Sequence, residues 1–199
     1  MDFAVHFYIA KDKEGNMGFF KDVRDDIKAV LDRDPAARNG FEVLVCYPGI
    51  WSIIFHRPAH WLYRHNAKLL ARIISQLARW LTGVEIHPGA VIGKRCFIDH
   101  GMAIIIGETT EIGDDVTIYQ GVTLGAKSFE TDEDGNPVKG VKRHPNIGDD
   151  VIIYAGATIL GGDTTVGKGS VIGGNVWLTE SVPPHSTVYH KPEIIIKGK

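Results

Sequence analysis

Ile106-Gly107-Glu108-Thr109-Thr110-Glu111-Ile112-Gly113-Asp114-Asp115-Val116-Thr117-Ile118-Tyr119-Gln120-Gly121-Val122-Thr123-Leu124-Gly125 places an aliphatic residue at every sixth position. The spacing runs outward in both directions. Ile86, Ile92 and Ile98 precede the stretch, and Ile147, Ile153, Ile159, Val166, Ile172 and Leu178 follow it. Four places after the aliphatic residue stands a small or β-branched one, as at Ala90, Cys96, Val116, Val122, Val151, Ala157 and Val176; after Ile98 that place is held by Met102. A hexapeptide period is the sequence mark of a parallel β-helix. Short strands point the aliphatic side chain inward, and three strands with their turns close a triangular coil. Coils stack at about 4.7–4.9 Å, each satisfying the backbone groups of the next. The glycine that often follows the aliphatic residue is expected where the turn demands φ > 0, and the residue four places on fills a narrow corner. The period does not give handedness, and general crossover chirality favours the right-handed sense.

Composition narrows the setting. The chain has 199 residues, 44% hydrophobic and 23% charged, which suits one soluble domain or a small domain joined to a larger one. A formal net charge of −2 offers no global attraction to nucleic acid or to an acidic membrane. The cysteines, Cys46 and Cys96, form no Cys-x-x-Cys, and Cys96 falls at a small inward position, where a buried thiol is expected. Met1-Asp2-Phe3 lacks the basic start and apolar core of a signal peptide, and no apolar run reaches the length of a bilayer span. The chain therefore reads as cytoplasmic, with no nucleic-acid or membrane partner.

Residues 1–83 read as a helical N-terminal domain. Apolar spacing of three and four over Phe19 to Leu31 (Phe20, Val23, Ile27, Val30, Leu31) predicts a helix ending near Asp34-Pro35. Pro48-Gly49 opens a second, Ile50 to His65, which Pro58 is expected to kink. A third, Asn66 to Leu81, gathers Leu70, Ile73, Ile74, Leu77 and Leu81 on one face, with Lys68, Arg72 and Arg79 on the other, and Thr82-Gly83 ends it. The β-helix is assigned to 84–182, about four coils, with a C-terminal tail over 183–199.

The period breaks in informative places. From Ile98 to Ile106 the step is eight, so two extra residues bulge the coil just after Asp99-His100-Gly101. Between Leu124 and Ile147 a loop over 126–146 is extruded, holding Glu130, Asp132, Glu133 and Asp134 and ending in Lys142-Arg143-His144-Pro145. Long loops on a regular scaffold tend to carry a site or an interface. A step of seven from Ile159 to Val166 has no obvious chemistry.

His100 beside a carboxylate is a candidate general base, because its pKa lies near neutrality and a carboxylate can orient the ring. Adjacent residues of an extended chain point apart, so Asp99 need not touch it. One coil of 18 residues back falls at residue 82, near Glu85, which makes Glu85 the expected partner of the ring. The competing reading is a histidine that caps a turn. Arg143 offers a guanidinium suited to a carboxylate and His144 a second imidazole, against a plain solvated loop end. Small residues at Gly125-Ala126, Ala155-Gly156-Ala157 and Gly173-Gly174 would let an extended ligand lie close, and are also what the repeat itself requires.

The order Asp34-Pro35-Ala36, Glu85-Ile86-His87-Pro88, Ile98-Asp99-His100-Gly101, Ile106-Gly107-Glu108-Thr109, Gly121-Val122-Thr123-Leu124-Gly125 and Arg143-His144-Pro145 closely resembles the serine O-acetyltransferase family, from about Asp34 through about Pro184. The resemblance implies a short helical N-terminal domain followed by a left-handed parallel β-helix, a mixed α and β fold. It implies transfer of the acetyl group of acetyl-CoA to the hydroxyl of L-serine, a step toward cysteine, with acetyl-CoA as co-substrate, no permanently bound cofactor and no metal. Matched position by position, His100 is the general base, Glu85 stands where the family commonly has Asp as the ring's partner, and His144 is the second active-site histidine. Asp34 and Asp99 match the acids that take the serine ammonium, and Arg143 the residue that grips its carboxylate. Gly125, Ala126, Ala155 and Gly174 match the acetyl-CoA channel, Ala126 replacing a usual Gly; backbone N–H groups there suit the oxyanion of the tetrahedral intermediate.

His100 and Arg143-His144 lie about two coils apart in register, too far for one subunit's face to bring both to one serine. The family's homotrimer, with sites between subunits, is the expected unit. The helical domain lacks the extra helices that pair trimers in longer members, so assembly is expected to stop at three. A cysteine synthase partner is known for the family, yet the tail Ile194-Ile195-Ile196-Lys197-Gly198-Lys199 lacks the terminal Ile used for it. Three alternatives stay open: a hexapeptide acetyltransferase for another hydroxyl acceptor, a γ-carbonic-anhydrase-like zinc hydratase, whose His-x4-His spacing occurs here only as His185 and His190, and a non-catalytic scaffold.

Overall fold

A computed structural model describes residues 17–129 and 131–191. The readings that fall on Met1-Asp2-Phe3, Glu130 and the 194–199 tail lie outside these residues. Among the described residues the chain forms helices α1 (Met17–Arg33), α2 (Gly40–Cys46), α3 (Pro48–Arg64) and α4 (Lys68–Thr82), followed by short parallel strands. The first three strands are β1 (Glu85–Ile86), β2 (Val91–Ile92) and β3 (Phe97–Ile98). The second coil has β4 (Ile105–Ile106), β5 (Glu111–Ile112) and β6 (Thr117–Ile118), and the third β7 (Thr123–Gly125), β8 (Asn146–Ile147) and β9 (Ile152–Ile153). Above them stand β10 (Thr158–Leu160), β11 (Thr165–Val166), β12 (Val171–Ile172), β13 (Trp177–Leu178) and β14 (Thr187–Val188). The strands stack into sheet A (β1-β4-β7-β10-β13), sheet B (β2-β5-β8-β11) and sheet C (β3-β6-β9-β12-β14), the three walls of a prism.

The aliphatic column fills the prism. Ile86, Ile92, Ile98, Ile106, Ile112, Ile118, Leu124, Ile147, Ile153, Ile159, Val166 and Ile172 are all buried in one cluster with the corner residues Ala90, Cys96, Val116, Val122, Val151, Ala157 and Val176. Burial pushes the Cys96 thiol up to about 12, which keeps it protonated and inert. Met102 departs from the pattern: it is exposed, and Ile104 fills the corner instead, because the two-residue bulge carries the chain outward before it returns. The glycine that often follows the aliphatic residue has a different cause from the one expected. At Gly113 the constraint is stacking, since a Cβ would lie 2.7 Å from the Asp149 backbone nitrogen one coil above. Positive φ falls two places later, at Arg95, Asp115 and Asp150, on the turns between sheets B and C. Sheet C extends past residue 182, because Thr187 and Val188 pair with Val171 and Ile172.

The helical domain corrects the sequence reading twice. A seven-residue helix, α2, was not foreseen; Asn39 caps it by accepting the Glu42 N–H at 2.9 Å. On α4 the apolar face is the outward one: Leu70, Ile73, Leu77 and Leu81 are exposed, while Ala71, Ser75, Ala78 and Thr82 are buried. Small side chains let α4 lie close to α3, and the packing follows them rather than the larger residues. The helix ends at Gly83, φ 72, whose N–H donates to the Arg79 carbonyl at 2.8 Å.

Three contacts fix the helices against the prism. Asp26 of α1 pairs with Arg57 of α3 at 2.5 Å and accepts the Arg95 N–H at 3.0 Å, while Arg33 reaches Asp115 at 2.5 Å. Gly49, in the first turn of α3, lies directly on the end of β3, where a Cβ would overlap the Ile98 carbonyl oxygen and sit 2.9 Å from Ile98 Cβ. The start of α3 is thereby placed beside Asp99-His100.

Candidate active site

The candidate residues gather on two different edges of the prism. The first is the edge where sheet C turns into sheet A, carrying the turns 99–104, 119–122, 154–157 and 173–176. Here the coil from β1 to β4 takes twenty residues, Glu85 pairing with Ile105, against eighteen from Ile105 to Thr123. This longer turn holds three left-handed positions, His100 at φ 59, Gly101 at φ 81 and Ala103 at φ 62. The Gly101 N–H donates to the Asp99 carbonyl at 2.6 Å and the Ala103 N–H to the Gly83 carbonyl at 3.0 Å. A Cβ on Gly101 would lie 2.9 Å from Val84 Cγ2, so this turn needs glycine for both its space and its φ. The result is an exposed imidazole on a pinned, left-handed backbone, with no hydrogen bond to another described residue.

Asp34 joins Asp99 at this edge although 65 residues separate them. The Asp34 carboxylate accepts the Ala36 N–H at 2.8 Å and the Tyr47 hydroxyl at 2.6 Å. Asp34 and Asp99 both oppose ionisation of the Tyr47 and Tyr119 hydroxyls, which puts the two carboxylates in one electrostatic neighbourhood. Tyr119 stacks on Tyr154 of the next coil with ring centroids 5.2 Å apart. Glu85, expected on the His100 ring, is engaged elsewhere in this chain: its carboxylate lies 3.2 Å from Arg79 Nε of α4.

The second edge, where sheet A turns into sheet B, holds the loop that ends in Arg143-His144. Thr109 is its anchor. Its hydroxyl accepts the backbone N–H of Arg143 at 3.0 Å and of His144 at 3.1 Å, and its own N–H donates to His144 Nδ1 at 3.1 Å. A backbone N–H can only donate, so Nδ1 is the acceptor and the neutral ring carries its proton on Nε2. Burial, then the neighbouring Arg143 charge, lowers the His144 pKa to about 4, so the ring is neutral at pH 7. The ring lies over Gly107, where any Cβ would overlap it.

Arg143 Nη2 pairs with Glu108, whose other oxygen accepts the Tyr63 hydroxyl of α3 at 2.6 Å. The rest of the guanidinium forms no hydrogen bond among the described residues, which leaves donors for a second carboxylate. His87 stands edge-on to Tyr63, centroids 5.5 Å apart, with its pKa lowered to about 4, burial being the main cause. Tyr63, Glu108, Thr109 and His87 had no role in the sequence reading. Glu108-Thr109 lay inside a motif of the resemblance, but nothing in the order of residues showed that it would meet Arg143 and His144.

The four small residues matched to the co-substrate channel divide between the same edges. Gly125 and Ala126 lead out of β7 at the A-to-B edge, beside a cavity of ≈ 500 Å³ lined by Lys127, Leu160, Trp177, Thr179 and Glu180. Ala155 and Gly174 lie on successive turns of the C-to-A edge, and a Cβ on Gly174 would be 3.2 Å from the Ala155 carbonyl oxygen.

Known proteins resemble this chain over most of its length. The plasmid serine acetyltransferase of Synechococcus elongatus is 59% identical over 163 residues, 82% of this chain and 51% of that protein. The serine acetyltransferase of Bacillus pumilus is 52% identical over 178 residues, 89% of this chain and 77% of that one. The chain belongs to the serine acetyltransferase family. A crystal structure of the Neisseria gonorrhoeae serine acetyltransferase in complex with serine superimposes with a TM-score of 0.79 at 35% identity, covering 89% of this chain and 68% of that one. With that kinship the prism is the left-handed parallel β-helix that the resemblance implied. No family model matches the chain. The chain spans about half the length of the Synechococcus relative. No described helix is long and apolar enough to cross a membrane.

Proposed function

We propose that this chain transfers the acetyl group of acetyl-CoA to the hydroxyl of L-serine, giving O-acetylserine and CoA. The observation that carries the reading is the division of charge: two carboxylates beside an exposed imidazole on one edge, and a guanidinium with free donors beside a neutral imidazole on the other. Together they complement an ammonium, a carboxylate and a hydroxyl, the three polar groups of serine. His100 takes the hydroxyl proton as that oxygen attacks the thioester carbonyl. The tetrahedral oxyanion then collapses, the carbon–sulfur bond breaks, and the imidazolium returns the proton to the leaving CoA sulfur. Asp34 and Asp99 hold the ammonium, Arg143 the carboxylate, and His144 presents an Nε2–H donor. Glu85 lies one coil below Ile105, just past the His100 turn; in this reading its carboxylate steadies the ring once Arg79 releases it. Gly125, Ala126, Ala155 and Gly174 line the path of acetyl-CoA, which is a co-substrate and not a resident cofactor.

The two edges belong to different corners of one prism, so a lateral separation adds to the height between the first-coil turn of His100 and the third-coil Arg143. Apposing the C-to-A edge of one copy to the A-to-B edge of the next brings both halves to one substrate, which supports a homotrimer with three shared sites. Light scattering is expected to give three times the mass of the single chain, and an active monomer would overturn the shared site. The functional test is release of the CoA thiol from acetyl-CoA with L-serine, D-serine, homoserine and threonine. L-Serine is expected to be strongly preferred; turnover with a sugar or another alcohol in its place would move the chain to a different acceptor.

A further inference from the structure

We propose that Tyr47 is a positioning residue of the ammonium subsite, holding the Asp34 carboxylate in the orientation that receives the amine of the acceptor. The inference rests on the serine reading above and adds to it a residue that touches no substrate. Both oxygens of Asp34 are held from the protein side: Oδ1 by the Ala36 N–H at 2.8 Å and Oδ2 by the Tyr47 hydroxyl at 2.6 Å. Two hydrogen bonds, one to each oxygen, fix the plane of a carboxylate that a single bond would leave free to rotate. A planar acceptor held in this way keeps its remaining lone pairs at fixed directions, which is what a charged ligand meets.

Tyr47 is itself rigidly placed. It is the single residue between α2 and α3, at φ −103 and ψ 104, and its N–H donates to the Val43 carbonyl at 3.2 Å. Its ring packs against the small buried cluster of Val30, Val43, Ile50 and Phe97. Pro48 follows at the first position of α3, and Gly49 is the glycine that lies on the end of β3. One short stretch therefore connects three things: the ring anchored among the helices, the hydroxyl on Asp34, and the close approach to Ile98 just before Asp99-His100. The Asp34 hydrogen bond is the main reason the Tyr47 hydroxyl is pushed up to about 12, with Asp99 a lesser contributor; it remains a donor across the working range of pH. A hydrogen bond from a phenol that stays protonated over that range is a steady support for the carboxylate.

The test uses Tyr47→Phe, which keeps the ring in its cluster and removes only the hydroxyl, together with Asp34→Ala and the double variant. In steady-state assays of the full chain, Tyr47→Phe is expected to raise the KM for L-serine by about 3- to 30-fold, the scale of one hydrogen bond to a charged group passed through a second residue. The KM for acetyl-CoA is expected to stay unchanged and kcat to change far less than the serine KM. In the Asp34→Ala background the same substitution is expected to add nothing, because the group it positions is gone. An unchanged serine KM, an equal rise in both KM values, or effects of the two substitutions that multiply would each overturn the proposal. A wild-type chain that does not acetylate L-serine would overturn the underlying reading as well; a serine-active wild type with an indifferent Tyr47→Phe removes the positioning role alone.

Discussion

His56 gives a prediction whose size follows from its surroundings. It lies in α3, is buried against the prism, and faces His60 with ring centroids 5.6 Å apart. Burial first, then the His60 ring, lowers its pKa to about 3. In the unfolded chain an ordinary histidine titrates near 6.5. The unfolded state therefore binds this proton first as the pH falls, and stability is lost from about pH 6.5 downward until the folded pKa is reached. Well below pH 6.5 each pH unit costs about 1.4 kcal/mol per such group, so His56 alone removes about 2 kcal/mol between pH 6.5 and 4.5. His60, His87 and His144, lowered in the same direction, add to the acid limb. The assay is urea unfolding at fixed protein concentration, from pH 7.5 to 4.5, on the wild type and on His56→Gln. The variant starts lower by a constant offset, and its stability is expected to fall less steeply with acid by about one proton's slope. Parallel curves would show that His56 takes its proton in the folded state and would refute the argument.

His100→Ala is expected to lower turnover by roughly 10²–10⁴-fold while circular dichroism stays that of the wild type; near-normal turnover would remove His100 from the chemistry. Arg143→Lys is expected to raise the serine KM, since an ammonium cannot reproduce a bidentate grip and Glu108 would compete for its single charge. If acetyl-CoA binding weakened and serine binding did not, Arg143 would belong to the other substrate. Gly49→Ala is expected to cost about 1–3 kcal/mol by overpacking against Ile98, and to raise the serine KM because it displaces the segment that carries Tyr47. A urea midpoint equal to that of the wild type would show that α3 yields there at no cost.

Much of the molecule was legible because a solenoid repeats a local rule. Each coil buries one aliphatic residue per strand, so a period of six in Ile106, Ile112, Ile118 and Leu124 fixes wall, corner and core without any knowledge of distant contacts. The same rule exposed its own exceptions, and the eight-residue step after Ile98 and the extruded loop hold His100 and Arg143-His144. Even α2 left a trace, in Asn39 followed three places later by Glu42.

What the tertiary structure alone decided concerns direction and phase. The pattern of α4 shows where its large apolar residues are, but not that α3 would choose the small ones at Ala71, Ser75 and Ala78. Counting eighteen back from His100 ignored the two residues the bulge adds, and in this chain the Glu85 carboxylate lies against Arg79. The edge of the prism on which a residue falls depends on every insertion before it, so the placing of His100 and Arg143 on separate edges is a property of the closed coil. The pairings that shape the site, Tyr47 with Asp34, Tyr63 with Glu108 and Thr109 with His144, cross 13 to 45 residues. No local period reports them, because they arise only after α3 has been laid along the prism and the loop has returned to it.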